Sequence, residues 1–123
     1  MKQIIFIFMA LLLATGAANA QAVISTENAN FDFGEVKEAD GKVEHAFVIK
    51  NTGDQPLVIT RVIPSCGCTT PDWTKEPIAA GKTGTIKITF DPANRPGPFT
   101  KTISVYSNGK TGSFILTIRG EVK

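Results

Sequence analysis

The chain has 123 residues, 42% of them hydrophobic, with 13 basic side chains against 11 acidic ones. That near-balance, without any basic run, argues against a nucleic-acid partner. The length fits one domain whose core is large enough to fold without staples, so no disulfide framework is needed.

In chain order, the first segment reads as a secretory signal peptide. Lys2 supplies a positive start, Ile4 to Ala14 an apolar run, and Ala18-Asn19-Ala20 a small-residue cleavage site. The apolar run is shorter than the roughly 20 residues that span a bilayer. The residue directly after the cleavage point is Gln21 and not a cysteine, which argues against a lipid anchor. The expected boundaries are 1–20 for the signal and 21–123 for one domain, exported to the periplasm or the extracellular space, with no transmembrane segment after cleavage. Gln21 to Thr26 reads as a short polar linker.

The rest alternates as strands and turns. Phe31 to Val36 has the period-2 pattern of a half-buried strand. Glu38 to Lys42 is a polar turn, and Val43 to Lys50 alternates again with Val43, Phe47 and Ile49 in one phase. Asn51-Thr52-Gly53-Asp54-Gln55-Pro56 is a dense turn signal. In Leu57 to Ile63, Leu57 and Ile59 share a phase that Val62 leaves, which predicts a bulge. Cys66 to Gly84 is loop-like, with one short edge strand around Trp73. Thr85–Phe90, Phe99–Tyr106 and Ser113–Arg119 complete the set, and Asp91 to Pro98 is a second Pro/Gly-rich loop. Six or seven short strands, no helix after the signal and turn signals about every ten residues predict an antiparallel β-sandwich.

The two cysteines stand in Ser65-Cys66-Gly67-Cys68-Thr69. A disulfide inside Cys-Gly-Cys needs Cα atoms within about 4.4–6.8 Å, which a bend at Gly67 permits. It would close a very short loop, constrain the unfolded chain little and carry strain, and strained disulfides are the labile ones. The same pair could instead hold a soft metal, act as a redox couple, or fill space at one end of the sandwich. It is neither the Cys-x-x-Cys of thioredoxin-like redox sites nor a complete zinc set.

If successive strands alternate in direction, Cys66, Cys68, His45 and Arg95 share one pole, provided an edge strand follows Thr69. His45, the only histidine, reads as a rim residue or as a third metal ligand. The expectation is His45 within about 15 Å of Cys66 but not at ligand distance. Trp73 reads as a cover for the core end or as a platform beside the thiols. Asp32, Glu35 and Glu44 are scattered outward carboxylates without an assignable partner. No triad spacing, nucleophile elbow or Gly-rich phosphate loop is present, so no catalytic residue is assigned.

Several of these stretches together resemble a bacterial secreted family, the domain-of-unknown-function family numbered 1573. They are Phe31-Asp32-Phe33-Gly34, His45-Ala46-Phe47, Asn51-Thr52-Gly53 with Pro56-Leu57, and Ser65-Cys66-Gly67-Cys68-Thr69 with Pro71 and Trp73. Pro77-Ile78, Gly81, Gly97-Pro98-Phe99, Lys101 and Ser107-Asn108 fit the same pattern, while Ala79-Ala80-Gly81 stands where the family more often has a proline before the glycine. The resemblance covers nearly the whole mature chain. It implies an immunoglobulin-like sandwich similar to ASH and major-sperm-protein domains, which are interaction modules. The leading expectation is a non-enzymatic module without a cofactor, binding a protein or other envelope component. The alternative is a metal-binding or redox protein acting through Cys66 and Cys68, with His45 assisting. Stability is expected to rest on Phe47 and Phe90 more than on the cysteines.

Overall fold

The computed structural model describes residues 20–110 and 113–123; the expected signal segment lies outside the described residues, apart from Ala20. Eight strands follow in order: β1 (Ile24–Ser25), β2 (Asn30–Val36), β3 (Val43–Asn51), β4 (Ile59–Pro64), β5 (Thr69–Trp73), β6 (Thr83–Phe90), β7 (Gly97–Ser107) and β8 (Ser113–Val122). A single 3-10 turn at Glu38–Asp40 joins β2 to β3. They form two four-stranded sheets, β1-β3-β6-β5 and β2-β8-β7-β4. This is the immunoglobulin-like sandwich.

Alternation decides what is buried. β3 turns Phe47 and Ile49 inward, β6 Ile86, Ile88 and Phe90, β7 Phe99, Ile103 and Val105, and β8 Leu116 and Ile118. Each such side chain stabilises the fold by about 1.5–3 kcal/mol. Aromatic stacks bridge the two sheets at two places. Phe90 of β6 lies on Phe99 of β7 with ring centroids 4.1 Å apart, and His45 of β3 lies on Phe31 of β2 at 3.6 Å. The expected bulge in β4 falls between Ile59 and Arg61, and it lets Leu57, Ile59 and Val62 all face the core.

Two expectations change. Gln21 to Thr26 is not a linker: Ala22 and Ile24 are buried, and Ile24–Ser25 pairs with Asn51 and Lys50 of β3. Nor is the sandwich wholly antiparallel, because β2 runs parallel to β8 from Asn30↔Thr117 to Val36↔Val122. The chain crosses from one sheet to the other between β1 and β2, which fixes the direction of β2. Its register shifts between Asp32 and Glu35, where Gly34 takes φ +69°, a conformation suited to glycine.

The pole opposite the cysteines is pinned by Asn51, which is fully buried. Its side-chain oxygen accepts the N–H groups of Val23 and Gly53, and its amide nitrogen donates to the carbonyls of Gln55 and Ile78. The β1 backbone passes so close over this turn that a side chain at Gly53 would run into the Gln21 carbonyl. Asn51→Ala leaves several buried backbone groups without a partner, so a loss of about 2–4 kcal/mol is expected. Phe90→Ala should cost about 3–5 kcal/mol. Urea unfolding of both variants checks this, and an Asn51→Ala protein as stable as the parent would contradict the pinning role.

Candidate functional sites

Cys66 and Cys68 are bonded to each other, with Cα atoms 5.2 Å apart, in the turn between β4 and β5. The turn is held by four hydrogen bonds, one of them through the Ser65 hydroxyl. Ser65 N–H donates to the Thr102 carbonyl and Thr102 N–H to Ser65 Oγ, tying the turn to β7. Thr69 N–H donates to the Cys66 carbonyl, and Asp91 N–H to the Cys68 carbonyl. Cys66 is half-buried, whereas Cys68 is only 5% exposed and belongs to the core. The Cys68 amide donates to Cys66 Sγ at 3.1 Å, and Thr69 Oγ1 lies 3.6 Å from Cys68 Sγ.

The start of β3, the end of β6 and the start of β5 stand in one row, Val43↔Phe90↔Thr69. The Asp91–Pro96 loop therefore meets the disulfide turn, and exposed Arg95 sits in that loop. His45 is further along: it pairs with Ile88, which pairs with Pro71. Two strand spacings and three residues of extended chain put it on the order of 14 Å from Cys68. Its ring is held between Phe31 and the edge of Phe47. Trp73 closes β5, about 16 Å along the strand from the disulfide, with Lys75 Nζ 3.0 Å from its ring centroid. Among the described residues no group of three or more His, Cys, Asp or Glu side chains is placed to hold a metal ion. The carboxylates of Asp32 and Glu44 do find partners, Arg119 at 3.5 Å and Lys87 at 3.9 Å, both exposed pairs.

A second feature lies along β3. A half-open cleft of about 710 Å³ is lined by Thr26, Asn30, Phe31, His45, Phe47 and Lys50, among others. It runs beside the outer edge of β3, because β1 pairs only with Lys50 and Asn51. Along a strand, successive residues turn their backbone polar groups to opposite sides. The Val48 carbonyl accepts the Thr26 hydroxyl at the outer edge, while Asn51 N–H donates to Lys82 on the β6 side. Glu44 and Ala46 share the parity of Val48, so their N–H and C=O groups face outward, where no strand among the described residues pairs with them.

The other three edges are blunted. By the same parity Pro64 faces the outer edge of β4 and Pro71 that of β5, each without an N–H to offer. On β2, the amides of Asn30 and Gly34 are taken by the side chains of Asn28 and Asp32. Sequence reading missed this contrast. The prolines are visible in the sequence, but the way each nitrogen points depends on pairing. Thr69 was missed as well; its only signal is its place next to Cys68.

The family described as protein of unknown function (DUF1573) matches residues 24–122. A protein of unknown function from Porphyromonas gingivalis W83 superposes with a TM-score of 0.73 at 22% identity, over 85% of this chain and 49% of that one. This chain thus spans about half the length of that relative. The seventh PapD-like (ASH) domain of human CEP192 gives 0.61 at 10% identity, covering 85% of this chain and 87% of that one. The YadV chaperone gives 0.51 at 17% identity, covering 84% and 51%. At these identities the likeness shows the fold. The curated proteins include no match to this chain.

Burial lowers the pKa of His45 below its ordinary value of 6.5. The unfolded chain therefore binds a proton on His45 at a higher pH than the fold does. This contribution is fully present above 6.5 and is lost as pH falls from there towards the lower folded pKa. Urea unfolding at about pH 7.5 and about pH 5 should show the parent losing more stability on acidification than His45→Gln. An identical loss in both would contradict a desolvated His45.

Proposed function

Because the chain belongs to the DUF1573 family, whose sandwich is shared by PapD-like domains, we propose that it is an exported, non-enzymatic module that binds an extended segment of another protein along the outer edge of β3. The observation that carries this reading is the unblunted Glu44–Ala46 edge beside an apolar cleft, in a fold whose other edges are blunted. An added strand takes its affinity from main-chain hydrogen bonds and its specificity from side chains at alternate positions. Here the outward N–H and C=O groups of Glu44 and Ala46 supply the ladder. Phe31, His45 and Phe47 receive an apolar side chain on the cleft side.

Two of the antiparallel registers open to a second copy of this chain are disfavoured at this edge. Antiparallel pairing centred on Glu44 sets two carboxylates directly opposite each other, which is destabilising. Pairing centred on Ala46 needs the Val48 carbonyl, which Thr26 already holds. Among the described residues no helix is long and apolar enough to cross a membrane.

Peptide display against the mature chain supplies the test, with Ala46→Pro as the variant. Proline there removes an outward N–H by the device already present at Pro64 and Pro71, so the fold should persist. Selected peptides should lose affinity at least about tenfold, or ~1.4 kcal/mol. They should also shift the Glu44 and Ala46 amide resonances. Peptides bound equally well by Ala46→Pro would overturn the reading, as would turnover of an ester or phosphoester substrate by the purified chain.

A further inference from the structure

The two sulfurs of the Cys66–Cys68 disulfide have unlike surroundings. Cys66 is half-buried and so more exposed than Cys68, and outside residues 66–68 no atom lies within 4 Å of where a side chain at Gly67 would begin. Cys68 is buried beside Thr69, which is itself only 3% exposed. In the oxidised state neither sulfur carries a hydrogen, so the 3.6 Å contact has Thr69 Oγ1 as donor and Cys68 Sγ as acceptor. On the other side, the Cys68 amide donates to Cys66 Sγ. Each sulfur therefore has one fixed donor, of the kind that favours a thiolate.

A bond across one intervening residue adds little stability, because it restricts the unfolded chain little. It is not needed to shape the turn either. The bonds from Ser65, Thr69, Thr102 and Asp91 run through atoms other than the two sulfurs. The turn therefore has anchors that do not depend on the S–S bond.

We propose that Cys66–Cys68 is an exchangeable disulfide that accepts two electrons from a dithiol. One thiolate of the dithiol attacks the accessible Cys66 Sγ. The Cys66–Cys68 bond breaks, and Cys68 leaves as a thiolate hydrogen-bonded by Thr69 Oγ1. The mixed disulfide between Cys66 and the dithiol is then attacked by the second thiolate, at the dithiol's own sulfur. Cys66 is expelled as a thiolate that accepts the Cys68 N–H. The dithiol leaves as a disulfide, and the two protons it lost end on Cys66 and Cys68. Access selects the attacked sulfur, and the Thr69 hydroxyl stabilises the other as it leaves. Thr69 is a positioning residue here. The exchange stands apart from strand addition at β3, and Ala46→Pro should leave it unchanged.

Dithiothreitol serves as the probe dithiol on the folded mature chain, with thiols counted by alkylation and mass spectrometry. The disulfide should open reversibly at millimolar probe with the protein still folded by circular dichroism. Thr69→Val should slow opening about tenfold, and Thr69→Ser should restore the rate. With oxidised glutathione, the Cys68→Ser variant, which keeps Cys66, should form a mixed disulfide at least about tenfold faster than Cys66→Ser. These single-cysteine variants report even if Thr69→Val does not fold. A disulfide that resists dithiothreitol until the protein unfolds would overturn the proposal. So would equal glutathione rates for the two single-cysteine variants, or a folded Thr69→Val protein that opens as fast as the parent.

Discussion

One primary amide fixes the pole away from the disulfide. Asn51 sits where β1, the 51–56 turn and the segment carrying Ile78 converge, and it is fully buried. A buried amide stabilises only when its partners are all present, since each missing one leaves a desolvated group uncompensated. Here they are: among the described residues no buried side-chain nitrogen or oxygen lacks a partner. The same amide limits β1. By gripping Val23 it holds the first strand against the last two residues of β3. The chain then leaves for the other sheet, and the rest of the β3 edge stays open. The candidate docking edge follows from how that pole is tied.

The two inter-sheet stacks divide the labour between packing and access. Phe90 on Phe99 is an interior contact with both partners buried. His45 on Phe31 has the same parallel geometry, but its partners are only half-buried and line the cleft. Substituting an imidazole for a phenyl at the margin keeps the flat contact and adds a ring nitrogen. Desolvation then keeps that ring neutral over a wider range of pH.

Much of the fold was legible in the sequence because side-chain alternation reports directly which face a strand buries. β3, β6 and β8 could be read that way, and the phase break after Ile59 located the bulge in β4. The edge strand near Trp73 was legible from its setting between loops. β1 was not, because a two-residue strand inside Gln21–Thr26 offers a single apolar side chain, Ile24, and no period. The parallel pairing of β2 escaped because alternation tells which face is buried and nothing about which strand lies alongside. Asn51 read as a turn residue, since burial of a polar side chain depends on contacts distant in sequence. The cysteines could be placed near one pole, yet the unlike surroundings of their two sulfurs come from Thr69 and from the depth of the turn.

The pairing of β2 with β8 has a consequence in time. Asn30 meets Thr117, nearly the whole length of the domain away, and the pairing is parallel. Contacts between such distant residues close the largest loops and slow folding. During synthesis β2 emerges early, and the strand it pairs with emerges last. Until then Phe31 and Phe33 have no sheet behind them, and the outer edge of β3 faces no completed cleft. Until Ser113–Val122 is in place β2 has no hydrogen-bonded neighbour, so its cover waits on a strand far along the chain.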